Sequence, residues 1–501
     1  MIKNIIYKKN LWIIFFIYSC FIFNSTYFSF NFLILSIGIF LLNILPLFNF
    51  YINYKKINYI PLYYFTHIFF FACYTLGLFF TEYLTSIYID GHLRYLFKVP
   101  DFQTIVEDSM FVYLIGLLFF NLGNFVIMFF LKTNFKSNNF FEFKENQNEI
   151  LLLGLISYFL SLIYIFVNDL TILQKLYQIK YPLVYLSLIS IQLYIIFKKD
   201  LKFIYKIILY LLIYFILFIE LLDGSIAKSF LYLIAVYLVN FIVTKKINFK
   251  FLIIIILMCV SLHTFKYEYR NLVWAESHIN QTLINIDEAK KENKKKLNKV
   301  DETKLFIKSY KHSFLNYDEY LKEKNIENSV KFLLYRNYDR LTHSFQSLII
   351  VVNSSPKPVP YWEGYSYKIF ATKFIPRIFW KNKPSDTLGN EFGKRYGVLG
   401  TSDQSTSWNM PVLNEFFANF GLIGVILGMF ILGLIFSSAS ILLNYKYNNY
   451  LFIISFITLY PLFYLESHFS LTFGAVVQTF IFLFIYSFLF KIFLLIMKRF
   501  F

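Results

Sequence analysis

The sequence predicts an all-α fold: a polytopic integral membrane protein with about twelve transmembrane helices and one large outer-face loop. Three observations predict it. Hydrophobic residues fill 58% of the 501 positions and charged residues only 16%, too apolar a balance for a soluble chain of this length. Apolar runs of helix-spanning length recur along the chain. The alternating apolar and polar segments of a membrane barrel are absent, and lipid offers backbone groups no outside partner, so helices remain as the spanning element.

In chain order, the apolar runs fall at residues 11–24, 28–49, 60–84, 110–131, 149–167, 182–197, 203–222, 229–244, 251–266, 415–441, 451–465 and 473–496. They divide the chain into an N-terminal transmembrane bundle of about nine helices over residues 1–266, a large extracytoplasmic loop over 267–414, and about three C-terminal transmembrane helices over 415–501. The first run is followed by no small-residue cleavage site and reads as a retained helix. Cys20, Cys73 and Cys259 sit inside apolar runs and read as packing residues, with neither disulfide nor metal spacing.

Charge placement sets the orientation. With the N-terminus inside, the short connections on the inner side hold seventeen Lys and Arg, against five on the outer side. Both termini are therefore expected in the cytoplasm and the long loop outside. Much of the +18 net charge is a topology signal, so no nucleic-acid partner is expected. No P-loop and no dinucleotide glycine fingerprint appears. Any chemistry is then expected on the outer face, with a substrate that carries its own activation.

The long loop reads in pieces. Around "DEAKKENKKKLNKVDETK" it is a solvated helix or a mobile insertion. Residues 329–352 form an amphipathic helix, with Leu334, Leu341, Phe345, Leu348 and Val352 on one face and Arg336, Arg340, His343 and Ser347 on the other. Only seven of the 48 basic residues are arginine, and Arg270, Arg336, Arg340, Arg377 and Arg395 all fall in this loop. Arginine's planar fork grips phosphate or carboxylate bidentately, which a lysine point charge does not. The stretch "ATKFIPRIFWKNKPSD", residues 371–386, adds Trp380 and Lys383 between two prolines, a rigid basic and aromatic segment suited to a phospholipid-like head group. A Gly-, Ser- and Thr-rich stretch follows, then a span that opens with Glu415 and Asn419 one turn apart. A carboxylate there is costly unless paired or functional.

"IPRIFWKNKP", the following "NEF", and "NEFFANFGLIGVILGMFILG", together with many spans and one large outer loop, resemble the oligosaccharide repeat-unit polymerases, the O-antigen polymerase (Wzy-type) family. The resemblance covers about a hundred residues sharply and the rest by topology only. It implies a bacterial cytoplasmic-membrane enzyme that extends surface polysaccharide from undecaprenyl-diphosphate-linked repeat units at the outer face. A chain-length regulator and a flippase are implied as partners, and no cofactor. Arg377, Lys383, Asn390 and Glu415 stand in the matching motifs. The loop arginines Arg270, Arg336, Arg340, Arg377 and Arg395, with Trp380, Lys383 and Asn390, are expected to hold diphosphate and glycan. Glu415, Asp339 and His343, in that order, are the candidate bases for the acceptor hydroxyl. No Asp-x-Asp and no histidine cluster calls for a metal. A ligase passing finished glycan to another acceptor is the nearest alternative. A flippase is more remote, because the spans carry few charges and no internal repeat.

Overall fold

The computed structural model describes residues 29–57, 59–76, 78, 101–130, 147–166, 179–222, 226–278, 299–311, 329–375, 380, 383, 386–404, 406–442 and 449–500. Among them every regular element is a helix: α1 Phe30–Asn53, α2 Leu62–Phe70, α3 Phe102–Phe130, α4 Gln147–Phe166, α5 Lys180–Phe197, α6 Phe203–Leu222, α7 Ile226–Thr244, α8 Phe249–His278, α9 Lys299–Tyr310, α10 Ser329–Ser354, α11 Leu388–Arg395, α12 Val412–Leu442, α13 Asn449–Leu459 and α14 Phe469–Phe500, with short 3₁₀ turns between some of them. Eight of these, α1, α3 to α7, α12 and α14, are long and apolar enough to cross a membrane. The apolar parts of α8 and α13 are shorter. The run at 11–24 lies outside the described residues.

The chain divides into two compact units, one of Met1–Glu142, Ile163–Pro182 and Asp339–Phe501, the other of Phe143–Leu162 and Leu183–Tyr338. In the first, α3 and α12 pack along each other where Gly123 meets Gly433. A Cβ on Gly433 would press on the Phe120 carbonyl and lie 3.1 Å from the Gly123 Cα, so only the bare backbone allows this approach. Polar groups in this packing satisfy one another. Asn43 donates to the hydroxyls of Thr75 and Tyr113, both at 2.9 Å, and the fully buried His67 lies between Asn43 Oδ1 and Asn121 Oδ1.

The predicted span at 60–84 is not one regular helix. α2 gives way to a π turn over Phe71–Thr75, and Tyr113 donates to the Phe70 carbonyl where the change begins, taking an acceptor from the helical ladder. The C-terminal spans begin earlier than the apolar runs suggest, at Val412 and Phe469, because their first turns carry polar residues that are bonded within the protein.

In the second unit the end of the Lys- and Glu-rich segment, from Lys299 onward, lies in α9, a packed helix, while its residues 287–298 lie outside the described residues. Leu305 and Ser309 are buried, and Phe306 meets the rings of Tyr269 and Phe218 at centroid distances of 5.5 and 6.1 Å. The second half of α10 belongs to the first unit, and there the expected two-faced pattern fails. Leu341 is exposed, whereas Ser347 is fully buried beside Phe345 and Leu348. From Thr342 to Val351 the helix is enclosed nearly all round, so a solvated stripe has no place there. Its polar groups turn inward: Gln346 donates to Thr342 Oγ1 at 3.0 Å.

Candidate functional site

Three stretches of the first unit come together: the second half of α10 with the strap of residues 355–411 that follows it, the first two turns of α12, and the turn 464–470 that leads into α14. The strap is tied to α12 by backbone bonds. Trp362 N–H donates to the Ala418 carbonyl at 3.0 Å and Glu363 N–H to the Asn419 carbonyl at 3.2 Å. Those carbonyls are available because α12 breaks at Phe420 and Gly421. Gly421 sits at φ 61°, ψ −147°, a conformation essentially confined to glycine, and a Cβ there would lie 2.6 Å from the Tyr361 hydroxyl.

Glu415 lies at the centre of this junction and is fully buried. Ser366 Oγ donates to its Oε1 and Phe469 N–H to its Oε2, both at 2.5 Å. Asn419 donates to Ser366 Oγ and to the Glu415 carbonyl, both at 2.8 Å, and accepts from Gly364 N–H at 2.9 Å. The carboxylate therefore joins the strap, α12 and the start of α14, and its two oxygens both face donors. The sequence expectation placed it at the outer mouth of a span facing substrate; the structure encloses it.

The other expected residues take separate positions. Arg340 makes a forked ion pair with Glu466, its second nitrogen 2.9 Å from Oε2. Asp339 accepts from Gln346 Nε2 at 3.2 Å. The His343 ring packs against Trp408, with centroids 5.5 Å apart. Lys383 is buried and donates to the Ile375 carbonyl at 2.8 Å, while its own N–H reaches the carbonyl of the half-buried Trp380. The side chains of Arg270 and Arg336, and the whole of Arg377, lie outside the described residues; of the five loop arginines only Arg340 and Arg395 are described, and each has its own separate partners.

α11 presents an open polar surface. Leu388 and Phe392 face inward with Gly389 and Gly393; a Cβ on Gly389 would strike Ser407, and one on Gly393 would strike Leu399. The helix ends at Gly397, φ 72°, as a left-handed C-terminal residue should. Its outer side, Thr387, Asn390, Glu391, Lys394 and Arg395, lines a surface cavity of about 570 Å³ together with Gln404. Asn390 braces the rim by donating to the carbonyls of Thr406 at 2.7 Å and Asp403 at 3.1 Å. Arg395 donates to the Pro360 carbonyl at 3.0 Å and lies 4.7 Å over the buried Trp362 ring, which fixes the guanidinium plane.

Sequence reasoning passed over one group altogether. Asp386 Oδ2 accepts from Lys373 Nζ at 2.7 Å and from His468 Nε2 at 3.1 Å. Burial alone would raise the Asp386 carboxyl, but His468 and Lys373 outweigh it and hold it well below the usual carboxylate range. Lys373 and Asp386 thereby close the neck of the basic aromatic segment between them. The signal was present in "YLESHFS", residues 464–470, where a carboxylate and an imidazole interrupt an apolar region two residues apart. Among the described residues, no cluster of three or more His, Cys, Asp and Glu side chains is placed to hold a metal ion.

The chain is a helical membrane protein with a folded polar strap seated on the ends of its helices. Set against known proteins, it matches no family model, no curated protein and no solved structure at a significant level.

Proposed function

We propose that this protein is a membrane glycosyltransferase that polymerises lipid-diphosphate-linked oligosaccharide repeat units, with undecaprenyl diphosphate as the carrier and the strap on the outer face of a bacterial cytoplasmic membrane. The observation that carries the reading is the α11 cavity. A concave surface of hydroxyl, amide, carboxylate and two cationic side chains, set on the polar ends of membrane helices, suits a glycan whose anchor stays in the bilayer and whose phosphates enter beside it. The residues of the resembling motifs support it, since Lys383, Asn390 and Glu415 all belong to the strap or its anchor.

In this reading Lys394 and Arg395 steady the anionic donor as the glycosidic bond to the diphosphate breaks. Asn390 and Glu391 meet sugar hydroxyls, and Glu415 serves as scaffold. No nucleotide is needed, because the donor carries its own leaving group. The test is chain extension by purified protein in nanodiscs supplied with lipid-linked repeat units. A ladder of lengthening lipid-linked products supports the proposal. Transfer only to a different acceptor supports the ligase alternative, and absence of both ends the glycosyltransferase reading.

A further inference from the structure

Several groups compete for a further role. The buried His67 cluster is closed on both ring nitrogens by Asn43 and Asn121 and reads as packing. The exposed apolar faces of α6 and α14 are what lipid covers. The Asp386–His468 pair goes further.

A base for a hydroxyl proton needs a lone pair, an orienting partner and an approach. Glu415 has no approach, since it is fully buried with both oxygens taken. Asp339 accepts from Gln346, and the Nδ1 of His343 faces the indole N–H of Trp408 at 3.5 Å. His468 is only 6% exposed, and what sets it apart from all three is a ring nitrogen left over for a proton. Asp386 engages its Nε2 at 3.1 Å, and Asp386 is itself held by Lys373 at 2.7 Å. The backbone of His468 is fixed as well, because its carbonyl accepts the N–H groups of Thr472 at 3.0 Å and Leu471 at 3.1 Å in the first turn of α14. Among the described residues no hydrogen bond engages Nδ1. A carboxylate on one ring nitrogen selects the tautomer that leaves a lone pair on the other.

The position fits. His468 lies two residues from Glu466, which carries the forked pair to Arg340, and Asp386 stands at the foot of the strap just before Thr387, the first residue of the cavity rim. The charged groups facing the imidazole are Asp386 and Lys373 from the strap and Glu415 from α12.

We propose that His468 is the general base of the transfer, with Asp386 as its positioning residue; this rests on the glycosyltransferase reading above. The acceptor hydroxyl gives its proton to His468 Nδ1 as the acceptor oxygen bonds to the anomeric carbon. The bond from that carbon to the phosphate oxygen breaks, and its electron pair leaves with the lipid diphosphate. The imidazolium then releases the proton to water.

The experiment is single-turnover extension by the full chain in nanodiscs over a range of pH, with binding of the lipid-linked unit measured in parallel. Ladders from the unaltered protein test the glycosyltransferase reading; if none form, that reading falls and the base falls with it. Given ladders, His468→Gln should lose about 10²–10⁴-fold in rate with substrate binding retained. Asp386→Asn should slow the step with binding of the lipid-linked unit unchanged, and Asp386→Glu, which keeps the carboxylate, should restore part of the rate. A rate for His468→Gln within a few fold of the unaltered protein overturns the proposal and leaves polymerisation standing. If His468→Gln does not fold, a rate for Asp386→Asn within a few fold of the unaltered protein overturns it instead.

Discussion

Glu415→Gln separates scaffold from chemistry. The change keeps size and removes one charge at a carboxylate that is completely enclosed. Ser366 Oγ and Phe469 N–H each donate to it at 2.5 Å. A glutamine carbonyl can still accept one of these bonds, now neutral rather than charge-assisted, a loss of about 1 kcal/mol. Its amide must then face the other donor. If it faces Ser366, the hydroxyl can rotate to accept a second bond beside the one from Asn419 at 2.8 Å, but its own proton then loses the carboxylate acceptor, at about 1–3 kcal/mol. If it faces Phe469, a buried N–H is left opposite another N–H, at about 1–3 kcal/mol. The sum is about 2–4 kcal/mol, carried by the junction of strap, α12 and α14. The assay is thermal unfolding in detergent of a fluorescent fusion, read by size-exclusion recovery after heating, with protease sensitivity of the strap followed alongside. The variant should lose recovery at a lower temperature and the strap should be cut sooner. A Glu415→Gln protein with unaltered recovery and unaltered cleavage, yet no chain extension, would refute the scaffold argument and return Glu415 to the position of base.

Four further outcomes follow from the same geometry. Asp386 is held below the usual carboxylate range by His468 and Lys373, so its contribution to stability is present above about pH 4 and is lost as pH falls through its lowered folded value; Asp386→Asn should remove that acid-sensitive part of the unfolding profile. Gly433→Val should push α12 off the Phe120 carbonyl and cost about 1–3 kcal/mol, seen as reduced recovery of folded protein. Arg340→Lys keeps the charge but loses the fork to a Glu466 whose side chain is 18% exposed, and should cost no more than about 1 kcal/mol in heat stability because Arg340 itself is well solvated. In a Cys259→Ser background, a cysteine at the exposed Ser402 should react in intact cells with an impermeant thiol reagent while one at the exposed Lys246 should not; the reverse pattern would invert the proposed orientation.

The helical class and most span positions were legible because lipid imposes one crude rule on composition, and runs such as 203–222 obey it to the residue. What composition could not show was where a helix departs from regularity. The π turn after Phe70 depends on Tyr113, a residue on another helix. The break in α12 depends on Gly421, and nothing in the sequence sets that glycine apart from Gly424, Gly428 and Gly433 on the same span. Gly433 does touch α3, but Gly428 faces the Phe416 ring of its own helix across that break. The site was half legible for a related reason. Residue type drew notice to Arg340, Lys383, Asn390, Arg395 and Glu415, and the structure finds each engaged. Type alone does not tell a carboxylate that awaits a substrate from one that binds a hydroxyl and an amide of its own chain. Asp386 and His468 were overlooked because they are 82 residues apart, and neither is unusual until the other stands beside it.

The break in α12 also sets an order of assembly. The carbonyls of Ala418 and Asn419 that receive the strap exist as free acceptors only once the span is in place and interrupted at Gly421. The strap, residues 355–411, precedes that span and is made before its own anchor. The amide of Phe469 that closes on Glu415 comes later still, after α13. During synthesis the strap must therefore wait, undocked, through the insertion of two further helices. Substitutions at Ser366, Asn419 or Gly421 should then appear first as chains lost to membrane quality control, at normal translation rates, rather than as an inactive protein that accumulates.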